Sequence, residues 1–399
     1  MNPAAHPAAA AAPAHLVDHA ARIEAVRRLL REQGLDALLA WGRGGGAPER
    51  HANLVYLSGY YPGFPTIPDL AGPSGWADQG YGAVLVTAAE TVLFADSPRL
   101  DPATVAASRI EVSSDQVATV ADALGALGLA SGRVGLAGGD AMTQRQARRL
   151  AQLRPALTLV DADALALALR CVKSPAEQRA MRAAARLGRR AIEQALAAAV
   201  PGATEADAVA DAAGLVLRAG GAPYNAFTDT YGDGGGSTRH RLPIWEAGRR
   251  FAAGQLFTID ISGTLDCYWY DLSRSRVVGG RPDARQARAI ALAQETVDAV
   301  VAALRPGATI GAAARAGFAA LAREPGVGGG HFTALGHGLG LGFEPPWVTA
   351  EEATVVEPGM CLAIEKRVIL DDRWGATFER DVLVTEEGAV DLGDPPAAG

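Results

Sequence analysis

Cysteine, lysine and long apolar stretches are scarce in this chain of 399 residues. The three cysteines, Cys171, Cys267 and Cys361, include no CxxC pair, so neither a disulfide framework nor a thiolate zinc motif is indicated. Lysine occurs only as Lys173 and Lys366, and the net charge of -7 gives no basic surface for nucleic acid. No apolar run reaches the ~18 residues that a membrane-spanning helix requires. We therefore expect a cytoplasmic protein with no nucleic-acid or membrane partner.

The composition is that of a folded chain. Apolar residues make up 49% and charged residues 20%, which is typical of globular proteins. The length predicts two or three domains, at roughly 100–200 residues for each. Residues 1–15 form an Ala/Pro tail that we expect to be disordered. No Lys or Arg precedes Arg22, which argues against a secretory signal peptide.

The pattern of predicted elements changes near residue 170. Residues 16–168 alternate apolar strands with helical stretches, which favours a layered α/β domain, and a long loop interrupts them at residues 61–81. From residue 169 to 399 the pattern shows two long helices and then strand pairs that alternate with two more helices. The first of these helices begins with a capping box, Ser174 to Glu177, with proline at the first helical position. We therefore predict an α/β protein of two domains.

Two predicted hairpins in the second domain place acidic residues on facing strands. In an antiparallel hairpin, the numbers of two opposed residues add up to a constant, which the position of the turn sets. With the turn at Leu265–Asp266, Asp260 on one strand faces Asp271 on the next. A turn centred on Asp372 likewise places Glu365 opposite Glu379. Like charges directly opposite each other destabilise a sheet. Two such pairs, each among apolar residues, predict a cation between them.

A histidine between glycines completes a plausible ligand set. His337 lies in the run GHGLGLG at residues 336–342, where glycines allow a close approach of the backbone. Four carboxylates and one imidazole suit divalent Mn, Co, Fe or Zn, and they are enough for a two-metal site. A proton shared within each pair, or carboxylates that point into water, would also satisfy the same pattern.

These motifs resemble the pita-bread metallopeptidases, peptidase family M24, which include prolidase, aminopeptidase P, methionine aminopeptidase and creatinase. The metal-ligand order Asp, Asp, His, Glu, Glu falls on residues in TIDIS, YDLSRS, GHGLG, AIEK and FERDVLVTEEG: Asp260, Asp271, His337, Glu365 and Glu379. The segments LDALLAW, NLVYLSGYYP and LRCVKSPAEQRAMRAAA resemble the creatinase/prolidase N-terminal domain and its junction with the catalytic domain. The resemblance implies a creatinase-like domain at residues 16–168, followed along the chain by a pita-bread catalytic domain at residues 169–399 with a curved antiparallel sheet.

The resemblance also implies roles for the individual residues. Asp260 would bind one metal ion, Asp271 and Glu379 would bridge two ions, and His337 and Glu365 would bind the second. Two divalent ions, with manganese expected first, would generate a bound hydroxide that attacks a C–N bond. Glu365 would move the proton of that water.

The resemblance extends to residues that face the substrate. His240, in STRHRLP, matches an upstream histidine that binds substrate and stabilises the tetrahedral intermediate. A homodimer is also implied, in which the loop at residues 61–81 reaches the partner's site.

The sequence departs from the peptidase pattern at three places. Phe343 stands where family peptidases carry the histidine of HExP, and Thr377 stands where many carry arginine. Lys366 and Arg367 replace Pro-Gly after the first glutamate. Relatives on this scaffold include dimethylsulfoniopropionate lyase and ectoine hydrolase, so the resemblance leaves a small non-peptide substrate open beside a short Xaa-Pro peptide.

Three more side chains are candidates for substrate contact. Strand alternation places Trp269 on the face of Asp271, where its ring could stack on substrate or pack in the core. Trp347 follows GFEPP and has the same two possible roles. Arg274 either orients a substrate carboxylate or supports the acidic ligands. With all five metal ligands present, we expect an active metallohydrolase in preference to an inactive binding protein on the same fold.

Overall fold

The structure is a computed structural model that describes residues 17–44, 48–66, 79–101, 103–232, 245–328 and 333–394. The Ala/Pro tail, most of the loop at residues 61–81 and His240 lie outside these ranges. The chain divides into two compact units, Met1–Arg170 and Cys171–Gly399. Across the described ranges, every helix is too short or too polar to cross a lipid bilayer.

The first unit is built on a six-stranded mixed sheet. Its described elements are α1 (His19–Gln33), β1 (Ala37–Arg43), a 3₁₀ turn (Pro48–His51), α2 (Ala52–Ser58), β2 (Tyr81–Thr87), β3 (Thr91–Ala95), β4 (Arg109–Val112), α3 (Gln116–Ala126), β5 (Arg133–Ala137), α4 (Gln144–Leu153), β6 (Thr158–Asp161) and α5 (Asp163–Cys171). The strand order is β4-β3-β2-β1-β5-β6, with β1 antiparallel to β2 and parallel to β5. Trp41 and Phe94 from the sheet pack with Leu124 and Leu150 from the helices, which explains why β1, β2 and β3 are continuous apolar runs.

The second unit contains two antiparallel sheets and four helices among its described residues. Its elements are α6 (Pro175–Ala198), α7 (Glu205–Arg218), β7 (Ala222–Tyr231), β8 (Leu256–Leu265), β9 (Tyr268–Val277), α8 (Ala284–Ala303), α9 (Ile310–Leu321), β10 (Val327–Gly328), β11 (Gly336–Leu339), β12 (Phe343–Trp347), β13 (Cys361–Leu370), β14 (Trp374–Thr385) and β15 (Gly388–Asp391). One sheet has the order β7-β8-β9. The other has the order β12-β11-β13-β14-β15, and β10 also pairs with β13.

Side-chain caps define where the helices of this unit begin. Ser174 and Glu177 form the predicted reciprocal capping box at α6, with Pro175 in the first turn. Thr204 and Asp207 form an equivalent box at α7. The predicted start of α6 is therefore confirmed. The long helices then bury alanine-rich faces against the sheets, as Gly188 shows: a Cβ there would lie 2.5 Å from the ring of Tyr270.

The register of the β8–β9 hairpin differs from the prediction. Asp271 lies opposite Ser262 and Asp260 lies opposite Ser273, so the two aspartates are not directly opposed. The turn residues are Asp266 and Cys267, both with positive φ (51° and 66°), in place of Leu265 and Asp266. Two-residue hairpin turns of type I′ require positive φ at both positions, and aspartate accepts this conformation more readily than leucine. Because the shift is two residues, both aspartates keep the same face and become diagonal neighbours.

The β13–β14 hairpin has the predicted register. Glu365 lies directly opposite Glu379, and Leu370 lies opposite Trp374 across a three-residue turn. The prediction for this pair is confirmed. On each strand the alternate residues share the same face, so Arg367 and Thr377, which are also opposed, lie beside the two glutamates.

A buried ion pair holds β12 to the segment that precedes α6. The Lys173 Nζ donates to Glu344 Oε1 at 3.1 Å and to the Cys171 carbonyl at 3.1 Å. The two side chains are 3% and 2% exposed. Burial is the largest influence on the pKa of Lys173 and lowers it, but the Glu344 carboxylate and the neighbouring Cys361 and Cys171 together raise it above its usual value, so the lysine stays charged. Since β12 pairs with β11, which carries His337, this ion pair supports the histidine strand.

Replacing Cys267 with glycine should stabilise the protein. A left-handed conformation costs a residue with a side chain about 1–2 kcal/mol, and glycine avoids most of that cost. We expect Cys267→Gly to raise the free energy of unfolding by about 1 kcal/mol in urea denaturation. Cys267→Ala is the matched control, because alanine keeps the Cβ and should show no gain. Equal stabilities for the two variants would contradict the turn assignment.

Breaking the buried ion pair should be strongly destabilising. Lys173→Met leaves the Glu344 carboxylate buried without its cation, which costs about 3–5 kcal/mol. Urea denaturation followed by tryptophan fluorescence measures this loss. The double variant Lys173→Met/Glu344→Gln removes both charges and should recover most of the stability. A double variant as unstable as the single one would show that the charge pairing is not the stabilising interaction.

Candidate metal centre

Two hairpins and one short strand bring the five predicted ligands together. Asp260 and Asp271 come from β8 and β9, Glu365 and Glu379 from β13 and β14, and His337 from β11. Ligand atoms of Asp271, His337 and Glu379 all lie within 4.8 Å of one another, and so do those of Asp260, Glu365 and Glu379. Glu379 belongs to both groups. Glu365 shares a group with Asp260, whereas the resemblance implies that it accompanies His337.

A glycine with a strained backbone positions the histidine. Gly336 has a φ of 135°, and a Cβ there would lie 2.0 Å from the carbonyl oxygen of Ala363 on β13. Because only glycine permits this close approach, β11 can pair with β13 directly beside Glu365. The His337 Nε2 then lies 3.5 Å from Asp271 Oδ2, and its Nδ1 lies 2.9 Å from the Gly338 carbonyl oxygen. The carbonyl fixes the ring orientation, as expected for a metal-binding imidazole.

Burial raises the pKa of every carboxyl in the cluster, and repulsion from neighbouring carboxylates adds to this for Asp260, Glu365 and Glu379. Burial is the largest cause for Asp260 and Glu379, and neighbouring carboxylates raise the pKa of both further. Burial also raises the pKa of Asp271 and Glu365, although His337 partly opposes this. Burial, the largest influence, lowers the pKa of His337, but Asp271, the Gly338 carbonyl and Glu365 together raise it above its usual value. The ionised carboxylates are therefore unfavourable here unless a cation neutralises their charge.

The chemistry of the donor atoms fits divalent metal ions. Both carboxylate oxygens of Glu379 are buried and have no hydrogen-bond partner among the described residues. Leaving a buried charge unpaired is costly, so two such oxygens indicate a ligand that is not a protein group. Carboxylate oxygens with one imidazole suit Mn, Co, Fe or Zn, and each of the two groups that include Glu379 could hold a metal ion.

The structure adds one carboxylate that the sequence analysis missed. Asp381 lies two residues after Glu379 on the same strand face, and its Oδ2 accepts the backbone N–H of Asp271 at 3.2 Å. Its Oδ1 is buried and has no hydrogen-bond partner among the described residues. Burial, and then the charge of Asp271, raises the pKa of Asp381 well above its usual value. The spacing Glu-x-Asp in a strand is the signal that could have placed it beside the cluster.

Aromatic rings form one side of the site. The ring of Trp269 packs edge-on between those of Tyr224 and Phe343, at centroid distances of 5.1 and 5.2 Å. Phe343 in turn contacts His337 at 4.9 Å, and Trp347 lies 5.8 Å from the same imidazole. Trp269 is 2% exposed and packs in the interior, whereas Trp347 is 46% exposed. We call these rings, including His337, the aromatic row.

Of the two roles considered for Arg274, its contacts in the structure are those of a support for an acidic ligand. Its backbone lies opposite Ile259, so its side chain starts from the strand face away from Asp271. The Arg274 Nη1 donates to the backbone carbonyls of Ser273 and Glu379, and the guanidinium lies 4.1 Å from the Phe378 ring centroid. The residue therefore supports the strand that carries Glu379. The candidate substrate ligand His240 lies outside the described residues.

Comparison with known proteins identifies the family. The profile of metallopeptidase family M24 matches residues 179–386, and that of the creatinase/prolidase N-terminal domain matches residues 22–172. The probable dipeptidase PepE of Mycobacterium tuberculosis (strain ATCC 25618 / H37Rv) is 31% identical over 261 residues, which cover 64% of this chain and 67% of that protein. The Xaa-Pro dipeptidase of Pyrococcus furiosus is 29% identical over 226 residues, 55% of this chain and 62% of that protein.

Solved structures agree with this result. The dipeptidase PepE from Mycobacterium ulcerans superposes with a TM-score of 0.72 at 26% identity, covering 95% of this chain and 96% of that one. The prolidase from Pyrococcus horikoshii OT3 superposes with a TM-score of 0.74 at 21% identity, covering 94% and 98%. The predicted pita-bread fold and the predicted resemblance are therefore confirmed. The chain belongs to metallopeptidase family M24, a family of enzymes, and carries the creatinase/prolidase N-terminal domain.

Proposed function

We propose that this enzyme is a metal-dependent peptidase of short peptides, with Xaa-Pro dipeptides as its substrate class. The observation that carries the proposal is the position of Glu379, which joins two groups of potential ligands through a buried carboxylate without a protein partner among the described residues. Relatives described as dipeptidase and Xaa-Pro dipeptidase support the choice of substrate. Asp260, Asp271, His337, Glu365 and Glu379 are the proposed metal ligands.

The chemistry follows from the composition of the site. Two divalent ions, when bound, would polarise the scissile carbonyl and lower the pKa of a water molecule between them. The carboxylate oxygen of Glu365 would accept the proton of the attacking water and pass it to the leaving nitrogen. His240, which matches the upstream histidine of the family, is proposed to bind the substrate carbonyl.

The aromatic row would limit the shape of the substrate. Trp269 and Phe343 place apolar surface beside His337, and Trp347 exposes nearly half of its own surface. Apolar rings exclude water from the reacting bond and can pack against an apolar side chain of the substrate. We propose that Trp347 contacts substrate directly and that Trp269 acts through Phe343.

A small non-peptide substrate is the second candidate. Phe343 supports it, because an apolar ring 4.9 Å from the imidazole centroid of His337 stands where family peptidases carry a histidine. A hydrophobic ring cannot donate a hydrogen bond to a reacting peptide. The candidate reactions are a lyase reaction and hydrolysis of a small amide, amidine or lactam.

Further features of the protein belong to the same proposal. Manganese is the proposed native metal, because a site dominated by carboxylates favours hard cations. We also propose a homodimer in the cytoplasm. Sedimentation at working concentration tests the dimer, and a monomer there would contradict it.

Asp271→Asn should abolish both metal binding and turnover. The substitution removes a charge from the cluster, and metal sites supply several kcal/mol of transition-state stabilisation, so the rate should fall by about 100-fold or more. The assay is cleavage of Xaa-Pro dipeptides and tripeptides by manganese-loaded protein, with the metal content measured in parallel. Asp266→Asn, at the exposed turn of the same hairpin, is the matched control and should retain both properties.

Two results would contradict this function in different ways. Full activity of the Asp271→Asn variant would exclude the metal mechanism. A wild-type protein that holds metal and cleaves no peptide would exclude the peptidase assignment, and a screen for products of small non-peptide substrates would then follow.

A further inference from the structure

A cavity of about 200 Å³ lies against the β7-β8-β9 sheet, on the face that α6 and α7 cover. Helix α7 and strands β7 and β8 provide most of its described lining, to which Ala191 of α6 and Tyr270 of β9 also contribute. Ile261 follows Asp260 and Tyr270 precedes Asp271, so Ile261 and Tyr270 project from the face opposite those two proposed metal ligands. The cavity is therefore distinct from the metal centre.

Small side chains and an irregular strand keep this space open. Three alanines line it from the two helices, Ala191, Ala212 and Ala213. The pairing of β7 with β8 shifts its register between Pro223 and Asn225, which also line the cavity. Protein interiors contain few voids larger than a water molecule, and an empty cavity lowers stability in proportion to its volume. A molecule that fills this space would therefore be bound favourably.

A buried phenol gives the lining one hydrogen-bonding group. Tyr270 is 1% exposed, and two glycines make room for it: a Cβ at Gly188 would overlap the ring, and a Cβ at Gly263 would overlap the hydroxyl. The hydroxyl makes no hydrogen bond with any residue that the structure describes. A buried hydroxyl without a partner is unfavourable, so a ligand that forms a hydrogen bond with it gains affinity.

The lining favours a neutral and mainly apolar ligand. None of the described residues that form it carries a charge, and burying an ion without a countercharge is costly. An apolar cavity of about 150 Å³ binds benzene, so the volume here accommodates a benzene ring with small substituents. Pro223 and Tyr224 are exposed and belong to the lining, so a ligand can enter from the surface at the start of β7.

We propose that this cavity is a second binding site, which takes a small neutral aromatic molecule with one hydroxyl group hydrogen-bonded to Tyr270. The site uses none of the five proposed metal ligands and does not depend on the proposed peptidase function. Tyr224 belongs both to the cavity lining and to the aromatic row, where its ring lies 5.1 Å from that of Trp269. One ring therefore separates the bound molecule from the aromatic side of the metal centre.

The test compares two probes of nearly equal shape, 4-methylphenol and 1,4-dimethylbenzene, which differ by a hydroxyl in place of a methyl group. Ligand-detected NMR with the full chain measures their dissociation constants. Tyr270→Phe should weaken the binding of 4-methylphenol by roughly 5- to 10-fold, the size of one net hydrogen bond. The same variant should bind 1,4-dimethylbenzene at least as tightly as wild type does. Crystals of wild type soaked with 4-methylphenol should show its ring between α7 and β7.

A second pair of variants tests the location by volume. Ala213→Leu places a larger side chain in the cavity and should weaken the binding of both probes by about 10-fold or more. Ala210→Leu is the matched control, because Ala210 lies on the exposed side of the same helix, and it should bind both probes as wild type does. Circular dichroism checks that each variant is folded. The soaked crystals and Tyr270→Phe decide the question if Ala213→Leu does not fold.

Three results would overturn the proposal. A wild type that binds neither probe up to its solubility limit has no such site. Dissociation constants that Tyr270→Phe and a folded Ala213→Leu both leave unchanged would place the probes elsewhere on the protein. Soaked crystals with the ring beside His337, and none between α7 and β7, would assign the binding to the metal centre.

Discussion

Electrostatic repulsion among four carboxylates, two buried and two half-buried, is the constraint on which the rest of this structure depends. Asp260, Asp271, Glu365 and Glu379 meet in the interior of the second unit, and burial raises the pKa of each. Burying an unpaired charge carries one of the largest free-energy costs in protein folding. Such a cluster persists only if protons or cations neutralise it. The Glu379 oxygens are buried and have no hydrogen-bond partner in the described part of the chain, and Glu379 belongs to both groups of ligand atoms, which favours cations.

The surrounding structure holds these charged side chains in position through contacts with neutral groups or with paired charges. Gly336 lets β11 approach β13, and the Gly338 carbonyl orients the His337 ring. The Lys173–Glu344 pair holds the next strand, β12, in the interior. Asp381 accepts a hydrogen bond from the backbone N–H of Asp271 and so holds the backbone of that proposed ligand in place. None of these contacts requires a metal ion, so the protein itself supplies the geometry of the site.

Local patterns in the sequence predicted most of this arrangement. The constant sum of opposed residue numbers in a hairpin placed Glu365 opposite Glu379, because the three-residue turn is centred on Asp372. The capping box marked the start of α6. The same rule failed for Asp260 and Asp271, since positive φ at Asp266 and Cys267 moved the turn by one residue. The prediction that Asp260 and Asp271 share one face of the sheet was still correct, because side chains alternate with a period of two and the register differs by two residues.

Contacts between distant segments could not be read from the sequence in the same way. Nothing in the local pattern shows that Arg367 contacts Asp229, 138 residues away, or that Lys173 finds Glu344, 171 residues away. Alternation along β9 places Arg274 on the face opposite Asp271, but its contacts with the Glu379 carbonyl and the Phe378 ring join segments about 100 residues apart. The substrate-facing residues were therefore the weakest part of the sequence analysis, whereas the four carboxylates followed from the two hairpins and His337 from the glycine-rich run.

The most direct test of the account is anomalous diffraction at the manganese edge, from crystals grown with Mn²⁺. The account predicts two peaks, one beside Asp271 and His337 and one beside Asp260 and Glu365, with the Glu379 carboxylate between them. No peak at the cluster, or a single peak that does not contact Glu379, would contradict the claim that the carboxylates exist to hold a pair of metal ions.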